Sequence, residues 1–136
     1  MARFDGEGFD ELIATMQQDQ GLFEKYADDV LLAGAEVVKE SWQSAIEQHG
    51  LVDTGDMLAS VAPGKIETDA NGVKNVEVYP QGTDRKGVRN AEKAYVNHYG
   101  SSSIKATHFV DDAESNAEEA AVEAMASVWY QKIEEG

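Results

Sequence analysis

The sequence predicts an α+β fold: a long N-terminal helix and a C-terminal helix packed on a small antiparallel β-sheet, with short connecting helices. Three observations carry that expectation. Leu31, Ala35, Val38, Trp42 and Ile46 recur in steps of three and four, the period of one buried helix face. Val76 and Val78 alternate with Glu77 and Tyr79 downstream of an Asn71-Gly72 turn signal, the grammar of a half-buried hairpin. The last stretch, from about His108 to Glu134, is rich in alanine and helix-forming throughout.

Each element follows from its own residues. After an extended lead over residues 1–8, Phe9, Leu12, Ile13 and Met16 share a helical stripe, and Gly21 is placed to end that first short helix. The long helix runs from about Glu24 to His49, with Gly50 suited to the left-handed position just past its end. A corner follows. Asp53 or Thr54 caps a short helix, Asp56 sits in its first turn, and Met57, Leu58 and Val61 turn inward. The hairpin then spans the Asn71-Gly72 turn, and Pro80 and Gly82 close its second strand. Residues 81–90 form a polar, flexible basic loop, long for a simple connection. Ala91, Ala94, Tyr95 and His98 mark a further short helix, with Asn90 as N-cap and Gly100 as stop. In the final helix, Ala113, Ala117, Ala120, Ala124 and Val128 form a narrow stripe that lets another backbone approach closely. One domain covers residues 1–136.

Composition narrows the function. A formal net charge of -15 argues against gripping nucleic acid through its phosphates. The charge is uneven: residues 65–110 carry seven basic and five acidic side chains, whereas 111–136 carry one and eight. The basic excess sits in Arg85, Lys86, Arg89, Lys93 and Lys105, candidates for a face that meets an acidic face of another subunit. The absence of cysteine removes thiol catalysis, disulfides and cysteine-bound zinc. No apolar run approaches the ~20 residues that span a bilayer. The opening residues show no basic stretch followed by an apolar one, so residence in the cytoplasm is expected.

The tripeptide Asp53-Thr54-Gly55 matches the catalytic turn of a retroviral-type aspartic protease. That chemistry needs two carboxylates sharing a proton, each at a strand end in an all-β fold. Here the tripeptide follows a helix and precedes another, so Asp53, Thr54, Gly55 and Ser60 are assigned to a structural corner. His49, His98 and His108 lack close ligand spacing, and neither a metal nor a cofactor is expected. Trp42 and Trp129 are expected in the core. Tyr95 and Tyr99 share a helix face, with core packing the default and an interface anchor the alternative. The pairs Asp28-Asp29, Asp111-Asp112 and Glu118-Glu119 are expected on solvated helix surface.

Several short motifs, taken in order, resemble a known family. Thr54-Gly55-Asp56-Met57 and Ser60, then Tyr99-Gly100-Ser101, then Ala106-Thr107-His108-Phe109 and Ala113, are similar to the tail-component family of tailed bacteriophages with long non-contractile tails. Its members are neck proteins, described as head–tail joining or tail-completion proteins. Thr107-His108 stands where that family favours Arg-Pro. The resemblance implies an α+β fold and no catalysis. It also implies a ring of copies, six in the particle, between the portal or head-completion adaptor and the tail tube or tail terminator. DNA would be passing cargo only, no membrane would be involved, and the protein would end in the virion after assembly in the bacterial cytoplasm. The charge alone supports a different reading, an acidic DNA mimic that inhibits a nuclease or restriction enzyme.

Overall fold

The computed structural model describes residues 7–70 and 74–135. In chain order the elements are α1 (Glu7–Gln17), α2 (Gln20–Gln48), α3 (Asp56–Ser60), β1 (Val61–Pro63), β2 (Glu67–Thr68), β3 (Lys74–Asn75), β4 (Val78–Pro80), α4 (Asn90–Tyr99) and α5 (Phe109–Glu135). The α+β architecture is the one expected, with α2 and α5 as its two long helices. No helix among the described residues is long and apolar enough to cross a membrane.

The break between α1 and α2 is made by Asp19, not Gly21. The Asp19 carboxylate accepts the Leu22 N–H at 3.2 Å, and its carbonyl accepts the Phe23 N–H. This capping starts α2 four residues before the expected Glu24 and leaves Gly21 inside its first turn. Glu7 and Gly8 are helical, so the expected extended lead is corrected at those two positions. Residues 1–6 of that lead, and the Asn71-Gly72 turn, lie outside the described residues.

α2 has 29 residues, a rod about 43 Å long. Its buried face is Ala27, Val30, Gly34, Ala35, Val38, Trp42, Ala45 and Ile46; Leu31 stands half-buried beside it. The helix ends as the glycine predicted. Gly50 has φ +68°, its N–H donates to the Glu47 carbonyl, and the Leu51 N–H reaches back to Ile46. That is a Schellman motif, which satisfies carbonyls the helix would leave orphaned.

α5 lies antiparallel against α2. Ser41 Oγ donates to the Ala113 carbonyl at 2.7 Å near one end, and Met125 lies against Gly34 further along. The buried residues of α5 are Phe109, Val110, Ala113, Ala117, Ala121, Met125 and Trp129. The expected stripe is therefore corrected beyond Ala117. Ala120 is exposed and Ala124 and Val128 are half-buried, because the burial keeps stepping by four. Four residues turn the helix slightly more than once, so such a row winds slowly around α5.

Two clusters fill the ends of this helix pair. In one, Trp42, Ile46, Phe109 and Ala113 meet Met57, Val61, Val78 and Ala94, and the Trp42 and Phe109 rings meet edge-on at 5.5 Å. In the other, Leu12 and Met16 of α1 cover Val30, Met125 and Trp129. Both tryptophans are core residues, as expected. Side chains such as Ile46 and Phe109, fully removed from water, each contribute about 1.5–3 kcal/mol relative to exposure.

The sheet is smaller than the hairpin pattern suggested. β1 pairs antiparallel with β4 and β2 with β3, as two separate two-stranded pieces. Val61 turns inward as expected and begins β1. Only the β1–β4 pair reaches the core, through Val61, Val78 and Pro80. Pro63 and Pro80 are tolerated because each strand has one partner and an open outer edge.

The seam generates a test of its own register. Ala121→Leu should cost about 1–3 kcal/mol by overpacking. Ala120→Leu, one residue away on the exposed face, should stay within about 0.5 kcal/mol of the parent. Urea unfolding of the two variants measures both, and equal costs would refute the register.

Candidate functional site

The corner at residues 53–56 and the loop at 81–93 are built as one polar unit. Gly55 takes φ +87° and starts α3 with no side-chain cap, so neither Asp53 nor Thr54 is the N-cap residue. Thr54 Oγ1 does accept the Asp56 N–H at 3.3 Å. Ser60 Oγ donates to the Met57 carbonyl and closes the short helix. The corner assignment of these four residues therefore has a geometric basis, but Asp53 and Asp56 spend their charge across the chain.

Arg85 reaches over and grips Asp56. Its Nη2 donates to Oδ1 at 2.8 Å, its Nε to Oδ2 at 3.0 Å, and its backbone N–H to Oδ2 at 2.9 Å. This fork geometry is the strong form of an arginine–carboxylate pair. The Arg85 side chain and amide hold the Asp56 carboxyl far below the usual carboxylate range, and Asp56 in turn raises Arg85. Lys86 Nζ lies 3.1 Å from Asp53 Oδ2, with both side chains mostly in water.

Asp84 organises the loop. Its side chain is 3% exposed and its Oδ2 receives Lys93 Nζ at 2.8 Å. Its Oδ1 accepts the N–H groups of Lys86 and Val88, both at 2.9 Å. The Lys93 ammonium, followed by the Val88 amide, lowers the Asp84 carboxyl below its ordinary value. Backbone bonds complete the turn: Asp84 N–H to Val88 O, Gly87 N–H to Asp84 O, and Asn90 N–H to Gly82 O. Gln81 anchors its start, with Nε2 donating to the carbonyls of Ala62 and Pro63. Residues 81–90 thus form a closed, hydrogen-bonded turn rather than an extended loop.

The five expected interface cations divide accordingly. Arg85, Lys86 and Lys93 are each matched by a carboxylate of this same chain. Arg89 and Lys105 are exposed and make no ion pair among the described residues. Arg85 and Lys86 stay mostly in water while paired, and Lys93 is largely withdrawn from it. Asp84 was not a candidate from the sequence, although Asp with Gly three residues on is a recognisable turn signature.

α4 presents three faces. Asn90, Ala94 and His98 point inward. Asn90 is the first helical residue and not the cap expected of it; Arg89 holds the cap position, and Asn90 Nδ2 donates to the Gln81 carbonyl. Lys93, Val96 and Asn97 line a cleft of about 480 Å³ whose opposite wall is the corner, with Leu51, Asp53 and Leu58. The third face carries Tyr95 and Tyr99, 64% and 61% exposed, with ring centroids 4.8 Å apart. Core packing, the default for this pair, is corrected: the helix needs only its 90/94/98 row to dock.

Past α4 the chain reverses tightly. Gly100 has φ +85°, and a Cβ there would stand 2.9 Å from the Ala106 amide nitrogen. The Thr107 N–H donates to the Asn97 carbonyl and the His108 N–H to the His98 carbonyl. This return brings His98 and His108 ring to ring at 5.2 Å, a proximity their ten-residue separation did not signal. His49 is outside this ring pair and lies 2.6 Å from Asp112 of the same first turn of α5. The expected surface acids Asp28, Asp29, Asp111, Asp112, Glu118 and Glu119 are all exposed.

No protein-family profile, curated protein or solved structure matches this chain.

Three measurements follow from the polar unit. Asp84→Ala removes the acceptor of three donors, and a fall in Tm on the order of 5 °C or more is expected at neutral pH. Asp53→Asn, on an exposed pair, should change stability by less than about 0.5 kcal/mol. Asp56 and Asp84 are depressed in the fold, so their stabilisation is fully present above the ordinary carboxylate range of about 4. It is lost as pH falls below that range toward the depressed values. Thermal melts from pH 7 to pH 2 should show a shallower acid decline for Asp56→Asn and Asp84→Asn than for the parent. Parallel curves would refute the assignment.

Proposed function

We propose that this chain is a non-enzymatic assembly subunit of the kind found in the neck of long-tailed, non-contractile bacteriophages, joining head to tail or completing the tail as a ring. The observation that carries the reading is the Tyr95–Tyr99 pair, two large aromatic side chains set side by side, their rings tilted at 50°, and mostly in water on one helix. Tyrosine supplies large contact area at low entropic cost and is enriched where interfaces concentrate their energy. Around the same helix, Val88, Ile104, Arg89 and Lys105 are also exposed. The outer side of α5 offers the opposite character, with Glu118, Glu119 and Glu123 in solvent. A surface of each kind on one subunit suits head-to-tail contact, in which the front of one copy meets the back of the next. The order of the Thr54-Gly55, Tyr99-Gly100-Ser101 and Ala106-to-Ala113 motifs supports the same assignment.

In this reading the partners are further copies of the chain, a portal or head-completion adaptor above and a tail-tube or tail-terminator protein below. The site of action is the virion, after assembly in the host cytoplasm.

A second reading has its own observation. Arg85, Lys86 and Lys93 are neutralised within the chain, so the surface is interrupted by fewer free cations than the sequence implied. An acidic DNA mimic that blocks a nuclease or restriction enzyme is favoured to that extent. The exposed tyrosines have no role in it.

The experiment is deletion of the gene in the phage or prophage that carries it, followed by induction and negative-stain electron microscopy. Filled heads and separate tails are expected, rejoined when the protein is supplied. Tyr95→Ser/Tyr99→Ser should leave the circular dichroism spectrum unchanged and fail to rejoin them. Complete infectious particles without the gene would overturn the neck assignment, and loss of protection from a DNA-cutting enzyme would establish the mimic.

A further inference from the structure

The reversal between α4 and α5 gathers three side chains of metal-binding chemistry. His98, His108 and Asp111 each offer one ligand atom, and these atoms lie within 4.8 Å of one another. We propose that they form a binding site for a divalent transition metal of the zinc class, tying the C-terminal end of α4 to the first turn of α5. This inference is independent of the proposed assembly role.

The donor set selects the metal. Two imidazoles and one carboxylate suit zinc and its neighbours, whereas calcium and magnesium take oxygen ligands. Three protein ligands leave the fourth tetrahedral position of zinc to water.

On the His98 side the ring is held in a defined orientation. His98 is buried, and its Nδ1 accepts the Val110 N–H at 3.3 Å. An accepting Nδ1 places the proton of the neutral ring on Nε2. That tautomer keeps the Nδ1 lone pair directed at the start of α5, the element that carries Asp111. A metal at Nδ1 needs no change of tautomer, but it must displace the Val110 N–H, and the coordination bond has to exceed the cost of leaving that buried amide without its acceptor. The His98 ring is further fixed by edge contacts with Tyr99 and Phe109.

The other two ligands are free to close. His108 and Asp111 are exposed, and neither side chain has another ion pair among the described residues. Ligands about 2.0–2.2 Å from a shared zinc stand roughly 3.5 Å apart. Closure from the present spacing therefore asks only a small rotation of two surface side chains. The backbone already holds His108 in place through its N–H to the His98 carbonyl, and His108 adopts φ +51° to face this way. The amide end of α5 disfavours a cation, and the carboxylates of Asp111 and Asp112 offset that field.

The chain contains three histidines, so His49 serves as an internal control. Zinc chloride is titrated into the full chain while long-range proton–nitrogen NMR spectra report all three rings. Saturable shifts of His98 and His108, with His49 unmoved, are expected at one equivalent. Cobalt(II) in the same site should give a d–d absorption band that zinc displaces. His108→Asn removes the ligand with a residue that tolerates the left-handed backbone; it and Asp111→Asn should each weaken binding about tenfold or more. His49→Ala should bind as the parent does. No saturable shift, equal shifts of all three rings, or unchanged affinity in His108→Asn would each overturn the site.

Discussion

The close approach of α2 and α5 is the constraint on which the remaining structure depends. Ala113, Ala117 and Ala121 have no bulk with which to keep a partner away, and Gly34 on the facing helix has none at all. A Cβ at Gly34 would stand 2.7 Å from the Met125 sulfur. Glycine inside a helix costs about 1 kcal/mol relative to alanine, and here the exchange is a methionine seated against the opposing backbone. Small residues in the middle of the seam also decide where large ones go. Trp42 and Phe109 gather at one end and Trp129 with Met16 at the other. Each end then needs a cover, supplied by β1, β4 and α4 on one side and by α1 on the other.

Period and punctuation were legible in the sequence wherever a residue had one reason to be where it is. The row from Ala35 to Ile46 is surrounded by charge, so its face is unambiguous, and Gly50 and Gly100 both take the positive φ expected of helix stops. The register of α5 was not legible because alanine fills both candidate rows: Ala120 and Ala124 on one, Ala121 on the other. Methionine at 125 and tryptophan at 129 break that degeneracy only once the partner helix is known. Tyr95 failed for a related reason. It neighbours Ala94, and on a ten-residue helix a single row suffices for docking.

The polar unit was illegible for a different cause. Arg85 finds Asp56 29 residues away and Lys86 finds Asp53 33 residues away; no local pattern encodes such pairs. Charge counts therefore registered a basic segment where the fold places neutralised pairs. The same long-range return hid the proximity of His98 and His108, whose meeting depends on a left-handed Gly100 and on two backbone bonds into the end of α4. What the sequence did contain at the corner was the consequence of strain, Gly55 in a left-handed start to α3, rather than the identity of its partners.

These internal pairings bear on how the surface can act. The Lys93–Asp84 pair, largely buried, has little left to offer a partner, whereas Lys86 and Asp53, mostly in water, exchange partners at small cost. The groups still available are of two kinds: aromatic and aliphatic side chains with Arg89 and Lys105 around α4, and carboxylates along the outer side of α5. Two α5 faces brought together would set like charges against each other, which disfavours symmetric pairing through that helix. The aromatic face carries no such penalty, and its ring pair is held on a helix anchored by Ala94, His98 and the Asp84–Lys93 contact. Unlike surfaces of this kind fit the head-to-tail contact proposed above. The backbone bonds of the 81–90 turn engage Val88 and Arg89, so the contact proposed above would ask for little further ordering there.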